Sequence, residues 1–137
     1  MTLDHIGIAV TDLEAGLRAW APLGLGGEPP EWVAQDQVTV VFVPYTGGRM
    51  ELLAPTSSDS PVARFLAKRG PGLHHLAFRV GDIDAIVARL VSEGVRMIDE
   101  VPRPGAHGTR VAFIHPAATG GILVELVEQP EGTSLDG

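Results

Sequence analysis

Two histidines and two glutamates stand out because of where they recur. His5 opens the run HIGIAV and His75 opens HLAFRV, while Glu51 lies in MELL and Glu125 in VELV. Two imidazoles and two carboxylates form a donor set suited to a divalent ion such as Co²⁺, Mn²⁺, Ni²⁺ or Zn²⁺. A lone strand histidine or glutamate is usually structural, so the reading rests on the pattern. In HIGIAV, His5 shares a strand face with Gly7 and Ala9, whose small side chains leave room around an imidazole. Glu51 and Glu125 each interrupt an apolar strand, where an unpaired carboxylate is costly. The chain has no cysteine, which excludes a thiolate zinc site, a thiol nucleophile and a disulfide framework.

The four residues occupy equivalent places in an internal repeat. HIGIAVTDLEAGLRAWAPLGL aligns with HLAFRVGDIDAIVARLVSEGV at an offset of 70, matching His5 with His75, Asp12 with Asp82 and Gly24 with Gly94. Further on, Met50-Glu51-Leu52-Leu53 aligns with Val124-Glu125-Leu126-Val127 at an offset of 74. Two matches in the same order, carrying the same chemical residues, indicate a duplication.

Each half then predicts the same elements. Residues 3–10 alternate and are rich in isoleucine and valine, as a strand requires. Thr11 or Asp12 supplies an N-cap, because a short side chain accepts a bond from an otherwise unpaired amide. A helix is expected from Leu13 to about Leu23, stopped by Gly24. Strands are expected near 31–35, 37–44 and 48–54. The second half predicts a strand at 73–80, a cap at Asp82, a helix at 83–93 stopped by Gly94, and strands near 95–101, 109–115 and 121–128. The fold class is α+β: one domain over 1–137, with module one at about 1–55, a connector at 56–72 and module two at about 73–130. The connector holds a short helix from Pro61 to Arg69 after Ser60, and the tail beyond Pro130 is expected to fray. Two βαβββ modules of this kind form curved mixed sheets around a shared metal-binding cleft.

The 137 residues are 45% hydrophobic and 20% charged, an ordinary soluble composition. A formal net charge of −7 argues against nucleic acid as a partner, since phosphate neutralisation needs an excess of lysine and arginine. The longest apolar runs, such as Val38 to Pro44, are too short to span a membrane. The sequence opens directly on a strand pattern, so a cytoplasmic location is expected. His74 neighbours a candidate ligand and is expected on the opposite strand face. His107, in a glycine-flanked loop, and His115, before a proline, are read with it as structural or supporting.

These residues resemble the vicinal oxygen chelate superfamily, and within it the methylmalonyl-CoA epimerases, from Leu3 to about Gln129. DHIGIAV, HHLAFRV and the two strand glutamates carry the superfamily likeness. SPVARFLAKRGPGLHHLAFRV (60–80) and GAHGTRVAFIHPAATGGILVEL (105–126) carry the epimerase likeness. The resemblance implies interconversion of the (2R) and (2S) epimers of methylmalonyl-CoA through an enolate, with a divalent ion, cobalt first, stabilising charge on oxygen. It assigns His5 and His75 as ligands and Glu125 as both ligand and base. Reprotonation from the other side needs a second acid/base group. Some bacterial epimerases place it on the strand that here reads QVTVVFV, near Val40, where this chain has no carboxylate. At the position of Glu51 many family members carry glutamine. Glu51 is therefore the expected second acid/base as well as a ligand, provided it leaves the ion. The competing readings are a glyoxalase I-type lactoylglutathione lyase and a metal-free ligand-binding protein of the same superfamily. The implied partner is an acyl-CoA, whose phosphates have Arg64, Lys68, Arg69 and Arg103 as candidate contacts. Gly105, Gly120 and Gly121 are read as turn glycines. A homodimer is expected, since small modules leave edge strands to cover.

Overall fold

The structure, a computed structural model, describes residues 1–131. The expected fraying beyond Pro130 concerns residues that lie, except for Glu131, outside that range. The elements follow the repeat: β1 (Thr2–Ala9), α1 (Leu13–Trp20), β2 (Glu31–Val33), β3 (Val38–Tyr45), β4 (Gly48–Pro55), α2 (Pro61–Arg69), β5 (Gly72–Arg79), α3 (Ile83–Ser92), β6 (Arg103–Pro104), β7 (Arg110–Ile114) and β8 (Val124–Glu128). Strand order within the first module is β2-β3-β4-β1 and within the second β6-β7-β8-β5. The orders are the same under duplication. In both, the first strand pairs in parallel with the last and the two outer pairs are antiparallel. The chain is α+β with two βαβββ modules and mixed sheets. Among the described residues, no helix is long and apolar enough to cross a membrane.

By contact density the chain divides into two compact units, His5–His75 and Met1–Asp4 with Leu76 onward. In the first unit, Val41, Val43, Met50 and Leu52 pack with Ile8, Leu13, Leu17 and Trp20. Thus α1 covers one face of β1, β3 and β4 with its apolar stripe, and strand alternation leaves His5, Gly7 and Glu51 on the other face. In the second unit α3 does the same work, with Ile83 and Val87 against Ala112, Ile114 and Leu126.

The caps are where local chemistry puts them. The Asp12 side chain accepts from the Glu14 amide at 3.1 Å, and Asp82 from Ala85 at 3.1 Å. Ser60 accepts from Val62 at 3.2 Å and opens α2. Helix α1 ends at Trp20, earlier than expected, in a 3₁₀ turn over Ala21–Leu23 that Gly24 closes at φ 80°. One expected strand is absent. Over 95–101 the chain makes only an isolated bridge, Met97 to Ile114, and the strand of this region is β6, two residues long. The Phe113 carbonyl accepts the Ile98 and Asp99 amides, but the Phe113 amide goes to the Asp99 carboxylate at 2.8 Å, so a side chain interrupts the regular ladder. Pro102 and Pro104 lack the amides a longer strand would need.

Candidate metal centre

The first unit assembles three of the four candidate ligands. Both histidines and Glu51 are buried. The Nε2 atoms of His5 and His75 lie 3.2 Å apart. Glu51 Oε1 lies 3.4 Å from His5 Nε2 and 3.6 Å from His75 Nε2. Donor atoms held at about 2.0–2.1 Å by one ion are themselves roughly 3.0–3.4 Å apart. The three atoms thus have the chemistry and the mutual spacing of one face of a divalent-ion site.

The backbone explains why they converge. Parallel pairing places Gly7 opposite Glu51, and antiparallel pairing places Phe42 opposite Glu51 on its other side. The Phe42 ring meets the His5 ring edge-on at 5.3 Å, and His5 meets His75 edge-on at 5.3 Å. At Gly7 an added Cβ would overlap the His75 ring, its nearest atoms being Cε1 and Nδ1. Gly7 is therefore the seat of the second imidazole, a stronger role than the space-giving one its alternation suggested.

Glu125 belongs to the second unit. It is buried on β8, opposite Ala77 of β5 and Phe113 of β7. Gly7–Glu51–Phe42 and Ala77–Glu125–Phe113 are the same register read twice, so the two glutamates hold equivalent places.

His74 departs from simple alternation. Its Nδ1 lies 2.9 Å from His75 Nδ1, and the two rings meet edge-on at 5.1 Å. Phe65 of α2 backs His74 edge-on at 4.9 Å. His74 thus supports His75 from behind. His115 caps the turn over Pro116–Thr119 by accepting from the Ala117 amide at 3.0 Å, a structural role. His107 has a left-handed backbone, φ 55°, in the turn before β7. Gly120 and Gly121 both have positive φ, as turn glycines do.

Arg49 and Phe42 were missed in the sequence reading. The Arg49 guanidinium lies 4.1 Å from the Phe42 ring centroid, a cation–π contact on the sheet face that carries Glu51. The two-residue spacing from Arg49 to Glu51 was the available signal. Of the expected phosphate contacts, Arg64, Lys68 and Arg69 are exposed on α2. Arg103 is engaged by Asp99, with Nε at 3.0 Å from Oδ1.

This fold and donor set define a class. Residues 4–113 match the family model described as Glyoxalase/Bleomycin resistance protein/Dioxygenase superfamily, and the chain belongs to that superfamily. It is 43% identical over 127 residues to the mitochondrial methylmalonyl-CoA epimerase of Bos taurus, covering 90% of this chain and 72% of that one. It is 40% identical over 127 residues to the ethylmalonyl-CoA/methylmalonyl-CoA epimerase of Cereibacter sphaeroides, covering 90% and 95%. A variant of the Streptomyces coelicolor methylmalonyl-CoA epimerase, solved in complex with 2-nitronate-propionyl-CoA, superposes with a TM-score of 0.90 at 37% identity, covering 98% of each chain. Within the superfamily, the chain belongs with the methylmalonyl-CoA epimerases.

Proposed function

We propose that the chain interconverts the (2R) and (2S) epimers of methylmalonyl-CoA by removing and returning the C2 proton through an enolate. The observation that carries this reading is the convergence of His5 Nε2, His75 Nε2 and Glu51 Oε1 on one buried point. The substrate comes from the relatives that bear this name. The C2 hydrogen lies between a thioester and a carboxylate, so its removal leaves an electron pair delocalised onto oxygen.

His5, His75, Glu51 and Glu125 would hold a divalent ion, cobalt first and manganese, nickel or zinc after it. Such an ion supplies Lewis acidity to the thioester oxygen. Burial keeps water from competing for the ligand atoms. Glu125, the repeat equivalent of Glu51, takes the proton from C2 as general base. Glu51 Oε1 faces both imidazoles, so its first role is that of a ligand. Arg49 sets a cation on the same sheet face, suited to a carboxylate or phosphate oxygen. The reading includes a cytoplasmic homodimer with an acyl-CoA as its small-molecule partner.

The test uses metal-stripped protein and single-epimer methylmalonyl-CoA in deuterated water, with and without added Co²⁺. Metal-dependent deuterium uptake at C2 together with epimer exchange is expected. Turnover of the hemithioacetal of methylglyoxal and glutathione, with no C2 exchange, would assign a lactoylglutathione lyase instead. Loss of both activities with no metal bound would make the four side chains structural.

A further inference from the structure

Epimerisation needs proton transfer on both sides of a planar intermediate, so one base is not enough. Among the strands of the first unit, two residues are carboxylates: Glu51 on β4 and Glu31 on β2. Glu31 pairs in register with Val40 of β3, and Val40 pairs with Leu53 of β4. Residues paired across a ladder share a face, and residues two apart along a strand share it too. Leu53 and Glu51 are two apart, so Glu31 faces the same side of the sheet as the ligand set. Two inter-strand steps and one pleat separate Glu31 from Glu51, roughly 12 Å between Cα atoms.

The polarity of β2 is also inverted. Trp32 is 65% exposed on one face, while Glu31 and Val33, on the other, are half-buried. A sheet usually turns its apolar residues inward and its charges out. Here the aromatic ring is exposed, and the half-buried glutamate lies on the sheet face that carries Glu51.

We infer that Glu31 is the second acid/base group of this reaction, an inference that rests on the epimerase reading above. When Glu125 takes the C2 proton, the C2–H bond breaks and its electron pair moves to the thioester oxygen. Protonated Glu31 then gives its proton to C2, the carbonyl re-forms, and the product is the opposite epimer. Glu125 is left protonated and Glu31 ionised, and exchange with water restores both. The reverse reaction begins at Glu31. An inward charge on an edge strand also occurs simply to block edge-to-edge pairing, and the test separates the two roles.

The test follows each epimer separately in deuterated water with the Co²⁺-loaded full chain and its Glu31→Gln variant. In Glu31→Gln, epimer interconversion is expected to fall about 100-fold or more. Deuterium uptake at C2 is expected to persist from one epimer and vanish from the other. This one-sided exchange is a signature that a structural role does not produce. Interconversion within about threefold of the parent, or equal loss of uptake from both epimers, overturns the role of Glu31 alone. A parent chain that exchanges neither epimer overturns the epimerase reading and the inference together. Should Glu31→Gln melt early, Glu31→Asp keeps the charge with a shorter reach. It is expected to slow proton transfer on the same side only, and equal rates on both sides would overturn the inference.

Discussion

The two units share a topology but use charge differently. In the first, the charged strand residues Glu31, Arg49 and Glu51 lie on the face with the imidazoles, and rings join the assembly: Phe42 on His5, His5 on His75, His74 on Phe65. In the second, charges brace the scaffold. Asp4 is buried against Arg79 at 3.0 Å and also accepts from Gln129 at 3.2 Å. Glu128 accepts the Ile83 amide at 2.9 Å, and Asp84 holds Arg110 at 2.7 and 2.9 Å. The duplicated inner strands keep their register, while the outer strands differ: β3 has 8 residues where β7 has 5, and β2 has 3 where β6 has 2. The four candidate ligands come from the preserved inner strands, and Glu31 and Phe42 from the outer strands that diverged.

The sharpest break of this comparison lies at its most symmetric pair. Gly7 and Ala77 stand at the same register position, opposite Glu51 and Glu125. Gly7→Ala is expected to push the His75 ring from its seat, lowering cobalt affinity by at least tenfold and epimerase rate by about 100-fold. Ala77→Gly is expected to cost about 1 kcal/mol of stability. Cobalt titration, turnover and thermal melting measure both, and equal effects would end the claim that the repeats diverged here.

The braces are expected to act on stability and not on the site. Asp4→Ala leaves the Arg79 guanidinium buried without its carboxylate, a loss of about 3–5 kcal/mol in denaturant unfolding. The smallest effect lies at the surface. Hydrogen bonding to Arg110, aided by its charge and opposed by desolvation, holds the Asp84 carboxyl below its usual 3.8. A carboxylate depressed in the folded state stabilises above its unfolded value and loses that contribution as pH falls through the folded one. Asp84→Asn should therefore lower Tm slightly near neutral pH, and the difference should close in acid below the carboxylate range.

Much of this was legible from residue order. The repeat, the Asp12 and Asp82 caps, the Ser60 start of α2 and the shared position of Glu51 and Glu125 all rest on local spacing. The strand expected at 95–101 was not legible, because the Asp99 side chain takes over a backbone hydrogen bond from 14 residues away. Helix α1 overran for a similar reason, since periodicity does not reveal where Pro22 and Gly24 tighten the last turn. The placement of Glu31 and Arg49 on the face of Glu51 depends on which strand lies beside which, information that appears only once the ladders are set. His74 followed the alternation rule in sequence, yet its ring nitrogen reaches its neighbour's.

That last contact has a consequence for proton placement. Two facing Nδ1 atoms 2.9 Å apart share a single proton between neutral rings, since two lone pairs or two N–H groups would repel. For His75 to offer a lone pair from Nε2, the proton must sit on its own Nδ1 and be received by His74. The proton of His74 then resides on its Nε2. One hydrogen bond thus couples the tautomers of both rings: only the placement with the proton on His75 Nδ1 leaves its Nε2 lone pair open to a cation, and the reverse placement would close it.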